Sequence, residues 1–240
     1  MRIHLIIGPT GIGKTTRAVQ LALQTGAPVV ALDRVQIYPE LATGSGRPHK
    51  HELQGTVRHY LVERRIGDGE LNVRDALPRL QKMTTTLAAK HHHLIIEGGS
   101  ISLSQAIWKS GYLREHQVEI VYLTVDDRAA YRQLIYQRVQ KMLQAQPAIT
   151  DELATAWSAE NYTGRRLVQK VVGYDAILAW CMETGIAPQD LPVVCRNREI
   201  RAALATAITR AHLAYAARQR MMFTNLLSAY KSSLSTEVIC

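Results

Sequence analysis

The sequence predicts an α/β fold: a P-loop, three-layer core with a parallel sheet over residues 1–146, followed by a mainly helical part over residues 147–240 packed on it. Three observations predict it. Short apolar runs alternate with helix-like stretches through the first half, the pattern of β-α-β units with helices on both sheet faces. The first run leads directly into Gly8-Pro9-Thr10-Gly11-Ile12-Gly13-Lys14-Thr15, a full G-x-x-x-x-G-K-[ST] string. Beyond about residue 147 no strand signal is visible.

Taken in order, residues 3–7 form a short apolar run ending at Gly8 and read as a buried strand. A helix follows over 14–24, with Ala18, Leu21 and Ala22 on one face, and Thr25-Gly26-Ala27-Pro28 stops it. Residues 29–32 are a second buried strand with Asp33 at its end. Residues 43–48, rich in glycine and serine, read as a loop, and 75–90 as a helix. Residues 94–96 are a third strand, ending in Glu97-Gly98-Gly99-Ser100; 118–123 are a fourth, and 128–144 a basic helix. A long final helix is expected over about 199–228. Residues 224–240, with few charges and several serines, read as a fraying helix end and tail.

Composition narrows the function. At 240 residues and 47% hydrophobic, the chain can bury a full core without metal or disulfide staples. The net charge is +9, and residues 128–231 carry 14 basic against 7 acidic side chains. Such an excess suits a phosphate-rich small substrate or a nucleic acid. Phenylalanine occurs once, which argues against an aromatic base-stacking platform. Cys181, Cys195 and Cys240 form no CxxC pair, the usage of a reduced, cytoplasmic chain. No apolar run approaches the roughly 18 residues of a membrane span. His91-His92-His93 looks metal-like, but consecutive histidines do not share one strand face.

Four features carry chemistry. The glycines of the 8–15 string let backbone N–H groups turn inward around a phosphate at a helix N-terminus, Lys14 adds a mobile charge, and the Thr15 hydroxyl can ligand Mg²⁺. Asp33 stands at the carboxyl end of a strand, where open α/β sheets place ligand-contacting residues; it can accept a proton, hold Mg²⁺ through water or cap a turn. Glu97 ends another strand and is placed either as a Mg²⁺-directed carboxylate or as a helix-start acid. Arg132 and Arg138 lie on the basic helix, where either could reach a phosphate.

Together the 8–15 string, Ala31-Leu32-Asp33-Arg34-Val35-Gln36-Ile37-Tyr38, Ala42-Thr43-Gly44-Ser45-Gly46-Arg47-Pro48 and Glu97-Gly98-Gly99-Ser100-Ile101-Ser102-Leu103 resemble the isopentenyltransferase family of P-loop proteins. The 30–48 stretch is most similar to its bacterial adenylate-modifying branch, which makes cytokinins. A related branch that prenylates tRNA is echoed by Val172-Gly173-Tyr174 and by Thr209-Arg210 followed by Tyr215-Ala216-Ala217-Arg218-Gln219. Those enzymes carry an extra helical region after the Gly-Gly strand end, whereas here only residues 101–118 are available, which favours a free nucleotide as acceptor. The resemblance implies that dimethylallyl diphosphate and AMP are the small-molecule substrates, Mg²⁺ the cofactor, and a monomer the working form, with no nucleic acid or membrane partner. It implies Thr10, Lys14, Asp33 and Arg138 as catalytic residues. Gly8, Thr10, Gly11, Gly13, Lys14, Thr15, Thr16 and Arg138 would hold the donor diphosphate, with Thr15 on the metal. Asp33, Arg34, Gln36, Thr43, Gly44, Ser45 and Ser100 would hold the acceptor nucleotide, and Val172, His212 and Tyr215 would line the prenyl pocket. The position of Val172 is often acidic in the cytokinin enzymes; an apolar residue there implies a plain rather than a hydroxylated donor, since a buried hydroxyl without a partner is costly. The competing readings are the tRNA reaction, a P-loop small-molecule kinase, and a basic nucleic-acid-binding module.

Overall fold

The computed structural model describes residues 1–158, 161–228 and 234–239. Its six-stranded sheet has the order β3-β2-β4-β1-β5-β6, with β1 at Arg2–Ile7, β2 at Val29–Ala31, β3 at Arg58–His59, β4 at His93–Gly98, β5 at Gln117–Thr124 and β6 at Leu234–Val238. All the pairings are parallel. Ile3, Leu5, Ile6 and Ile7 are fully buried, which is why β1 reads as a near-continuous apolar run: helices cover both of its faces. Because the strands are parallel, their carboxyl ends share one edge. Ile7 lies opposite Gly98 and Tyr122, and Ala31 opposite Glu97. The turns after β1, β2 and β4 therefore converge.

The helices are α1 at Lys14–Thr25, α2 at Ala42–Ser45, α3 at Val73–Ala88, α4 at Ile101–Lys109, α5 at Arg128–Gln144, α6 at Ile149–Ala156, α7 at Tyr162–Val168, α8 at Tyr174–Thr184, α9 at Leu191–Val194 and α10 at Arg198–Ser228. Gly13 opens α1 at φ 95°, a left-handed conformation that a side chain rarely adopts. The Asp127 carboxylate caps α5 by accepting from the N–H groups of Ala129 and Ala130. Tyr131, Ile135, Val139 and Met142 are the buried stripe of α5, and α10 packs along it. On α10 the buried stripe runs through Leu204, Ile208, His212, Ala216, Gln219 and Phe223. His212 and Gln219 are thereby carried into the interior on the same face as the apolar anchors.

The predicted strands and long helices are present within a few residues of the expected bounds. Two local expectations are corrected, and one strand was not anticipated. Residues 43–48 are not wholly loop: Ala42–Ser45 forms a single helical turn that ends at Gly46, φ 65°. β3 is only two residues long, too short for any periodicity to show. The tail is not simply a frayed end, because Leu234–Val238 pairs with β5 and completes the sheet. Glu237 fixes it there with a bidentate ion pair to Arg17 of α1, at 2.8–3.1 Å. Residues 229–233 and Cys240 of the expected tail lie outside the described residues. His93 meets His4 at 3.1 Å across β1 and β4, and His4 meets Glu119 at 3.2 Å. Cys181 and Cys195 are buried free thiols. No described helix is long and apolar enough to cross a membrane.

Candidate active site

A cleft of about 1000 Å³ opens at the carboxyl edge of the sheet. One wall is the glycine-rich loop with α5. Thr10, Gly11, Gly13, Lys14 and Thr15 line it, and Arg138 reaches it from α5. The Lys14 ammonium donates to the Pro9 carbonyl at 2.7 Å. Its pKa is lowered to about 8, chiefly by burial and also by the nearby Arg138 and Arg58 charges, with Glu97 and Asp33 partly offsetting this. Arg138 donates to Thr10 Oγ1 at 3.2 Å. A Cβ on Gly46 would overlap the Arg138 guanidinium, so the positive φ and the close approach both demand glycine at that position.

Two residues expected on the donor are not among those lining the cleft. Gly8 does not line the cleft; a Cβ there would lie 2.6 Å from the Leu123 carbonyl, so this glycine lets the loop leave the sheet beside β5. Thr16 is exposed on the first turn of α1 and its side chain is not on the cleft wall. Arg132, too, is exposed and off the cleft; of the two candidate arginines only Arg138 faces it.

Asp33 lies just after β2 and lines the cleft. Its Oδ1 accepts from the N–H groups of Val35 and Gln36 at 2.6 and 3.1 Å. This turn orients the carboxylate while the group stays at the cleft. Burial pushes its pKa up, against the effect of those two hydrogen bonds. Of the roles left open by the sequence, the structure shows the turn cap, and it keeps the carboxylate on the cleft lining. Glu97 is not a helix-start acid, since α4 begins at Ile101. It is buried against Arg58 in an ion pair of 2.7 Å, with both side chains at most 3% exposed, and it accepts a long hydrogen bond of 3.5 Å from Thr15 Oγ1.

Several expected acceptor contacts turn out to be engaged within the protein. The Gln36 amide donates to the Gly46 carbonyl and accepts from Arg58. The N–H groups of Thr43 and Gly44 donate to the two Glu152 carboxylate oxygens at 2.7 and 2.9 Å, and the Thr43 hydroxyl donates to the Pro147 carbonyl. Arg34 donates to Ser102, to the Leu71 carbonyl and to Glu70. Gln36, Thr43, Gly44 and Arg34 still line the cleft, together with Asp33, Ser45 and Ser100, and the Ser45 hydroxyl donates to the Ala42 carbonyl. Val172, His212 and Tyr215 also line it, as placed by the resemblance. His212 is 4% exposed, and burial, with Arg138 nearby, drops its pKa to about 3, so the ring is neutral.

Sequence reasoning missed Arg58, Tyr131, Glu152, Arg218 and Gln219. Tyr131 donates to the Thr10 carbonyl at 2.5 Å, and Gln219 Oε1 accepts from the Thr10 N–H at 2.7 Å. Arg218, with Lys141 and Lys170, supplies exposed positive charge on the cleft.

Comparison with known proteins agrees with this architecture. The family model described as isopentenyl transferase matches residues 1–232. The chain is 38% identical over 228 residues to an adenylate dimethylallyltransferase of Agrobacterium fabrum, covering 93% of this chain and 91% of that one. It is 38% identical over 184 residues to an adenylate dimethylallyltransferase of Ralstonia nicotianae, covering 75% and 76%. Two solved structures share the fold: a tRNA isopentenylpyrophosphate transferase of Bacillus halodurans (TM-score 0.75, 16% identity, 99% of this chain and 90% of that one) and one of Staphylococcus epidermidis (TM-score 0.73, 14% identity, 99% and 92%). A glycine-rich loop after a central parallel strand, an acid after the strand two places along the sheet and a family match over residues 1–232 lead to one conclusion: this chain belongs to the isopentenyl transferase family.

Proposed function

We propose that this protein transfers the dimethylallyl group of dimethylallyl diphosphate to N6 of AMP, giving N6-(dimethylallyl)adenosine 5′-phosphate and diphosphate, the first step of cytokinin synthesis. One observation carries the reading: the Asp33 carboxylate lines the same cleft as the Lys14 and Arg138 cations. The reaction breaks the C1–O bond of the donor and forms C1–N6. Lys14, Arg138 and the loop N–H groups stabilise the charge that develops on the departing diphosphate. Asp33 accepts a hydrogen from N6, aims the amine at C1 and takes its proton as the new bond forms. Its raised pKa makes it the stronger base for that task. Val172, His212 and Tyr215 shelter the allylic chain from water.

The residues also fit magnesium. Thr15 Oγ1 and the Glu97 carboxylate are hard oxygen donors on one side of the loop, and Mg²⁺ commonly takes few protein ligands, completing its shell with water and substrate phosphate. Thr15 would hold the ion, with Glu97 beside it, and when bound it supplies charge neutralisation on the diphosphate. One chain supplies both walls of the cleft, which supports a monomer acting on small molecules, and the buried thiols and nucleotide substrate suit the cytoplasm.

The test is an incubation with Mg²⁺ and dimethylallyl diphosphate in the presence of AMP, ATP or unmodified tRNA, read by mass spectrometry for an added prenyl unit. Prenylated AMP is the expected product. Prenylated tRNA alone would replace the free-nucleotide reading with the tRNA reaction; no prenylation in any tube would refute both.

Donor choice is a separate expectation. Val172 is half-buried on the cleft and offers no hydrogen bond. In a competition between plain and hydroxylated dimethylallyl diphosphate the plain donor should win by about tenfold, the scale of one buried hydroxyl left without a partner. Val172→Asp should narrow that ratio. Equal turnover of both donors by the unaltered enzyme would sink the expectation.

A further inference from the structure

We propose that Gln219 and Glu152 are positioning residues that set the two walls of the cleft independently, Gln219 for the donor and Glu152 for the acceptor. The assignment of wall to substrate rests on the proposed function.

Gln219, on α10, is 2% exposed. Its Oε1 accepts from the Thr10 N–H at 2.7 Å, and its Nε2 donates to the Gly99 carbonyl at 2.6 Å. Thr10 follows β1 and Gly99 follows β4, so a single amide joins the turns after two neighbouring strands. Gly99 is a glycine at a position where a Cβ would come within 2.6 Å of that Nε2. The other polar groups of Thr10 are engaged as well, its carbonyl by Tyr131 and its hydroxyl by Arg138. The Thr10 N–H therefore points to α10 and not into the phosphate cradle. Two helices far along the chain hold the loop in shape before any anion arrives. Removing the amide leaves a buried N–H and a buried carbonyl unpaired, which loosens the loop at its second turn.

Glu152, on α6, is 4% exposed. Its Oε1 accepts from Thr43 N–H and its Oε2 from Gly44 N–H, and the Tyr174 hydroxyl donates to the same Oε2. α2 is a single turn whose first N–H groups have no partner within the turn. Glu152 caps them from another helix, doing at a distance what a capping side chain does locally. Gly44 packs so closely on the Tyr174 ring that a Cβ would overlap it. The position of Ser45 and Gly46 on the acceptor wall thus depends on α6 and α8. Among the described residues no hydrogen bond joins the Glu152 group to the Gln219 group; they meet through the packing of Arg138 against Gly46.

The test separates the two effects. Gln219→Met, Glu152→Gln and Tyr174→Phe would be made in the full chain and checked for folding by thermal melting. Binding of inorganic diphosphate and of AMP would be measured by calorimetry, alongside KM for each substrate. Gln219→Met should weaken diphosphate binding and raise the donor KM by about tenfold or more, as expected for a sub-ångström to 1 Å displacement at a reacting site, while AMP binding stays within twofold. Glu152→Gln should do the reverse. Tyr174→Phe removes only one of the three hydrogen bonds; it should follow Glu152→Gln at smaller amplitude, and it stands in should that variant fail to fold. Both constants moving together, or neither moving beyond twofold in folded variants, would overturn the proposal. Loss of the predicted prenylation in the unaltered enzyme, with this binding pattern intact, would count against the proposed reaction and not against the clamps.

Discussion

Asp33→Asn lowers kcat by roughly 10²–10⁴-fold, the usual worth of a positioned general base, and leaves the donor KM within a few-fold. The substitution is chosen because of the turn that Asp33 makes. An asparagine Oδ1 can still accept from the N–H groups of Val35 and Gln36, the two bonds that hold the carboxylate in place. Geometry is kept while the ability to take a proton is removed. Asp33→Ala would remove both and confuse the reading. Steady-state kinetics with AMP as the varied acceptor would measure it. A loss below tenfold would show that the N6 proton leaves by another route, and Asp33 would then be a turn residue alone.

A comparable loss, roughly 10²–10³-fold in kcat/KM for the donor, is expected for Lys14→Met, because a preorganised donor aimed at developing charge is removed from a buried site. Lys14 also makes a pH prediction. Burial lowers its pKa to about 8, so the ammonium is present below that pH and lost above it. The kcat/KM for the donor, which reports the free enzyme, should fall with rising pH through about 8. Lys14→Arg keeps its charge across this range, and the alkaline fall should move out of the accessible window even though the absolute rate is lower. An alkaline limb unchanged in Lys14→Arg would assign that titration to another group.

The legibility of this site follows the span of each interaction in the chain. The 8–15 string is contiguous and strand, loop and helix all follow from it, so it could be read directly. Asp33 was legible for the same reason: it ends a buried strand two strands' width from that loop. Arg138 could be placed only by resemblance, because Arg132 sits on the same helix with equal local credentials and turns to solvent. Glu152 left no signal at all, and Gln219 stood out only as the end of a string shared with the tRNA branch, with nothing to show its contacts. Each is a single polar residue in a helix, and its significance lies in partners more than 100 positions away. It is the family resemblance that places Gln36, Thr43 and Gly44 against the nucleotide. The structure shows their polar groups engaged by Gly46, Arg58, Pro147 and Glu152, which periodicity and composition do not reveal. β3 and β6 were invisible for opposite reasons, one too short and the other too polar for an edge strand to look apolar.

The last strand has a consequence for how the molecule is made. β5 is complete at Thr124, but its neighbour on that side does not exist until Leu234–Val238 has been synthesised. At common elongation rates the intervening residues take on the order of ten seconds to appear. For that interval a nascent chain with β1, β4 and β5 already paired presents a bare row of backbone donors and acceptors along β5, a template for any other extended chain. The enzyme passes through a stage at which its sheet can be extended by a stranger, and that stage ends only when Glu237 reaches Arg17.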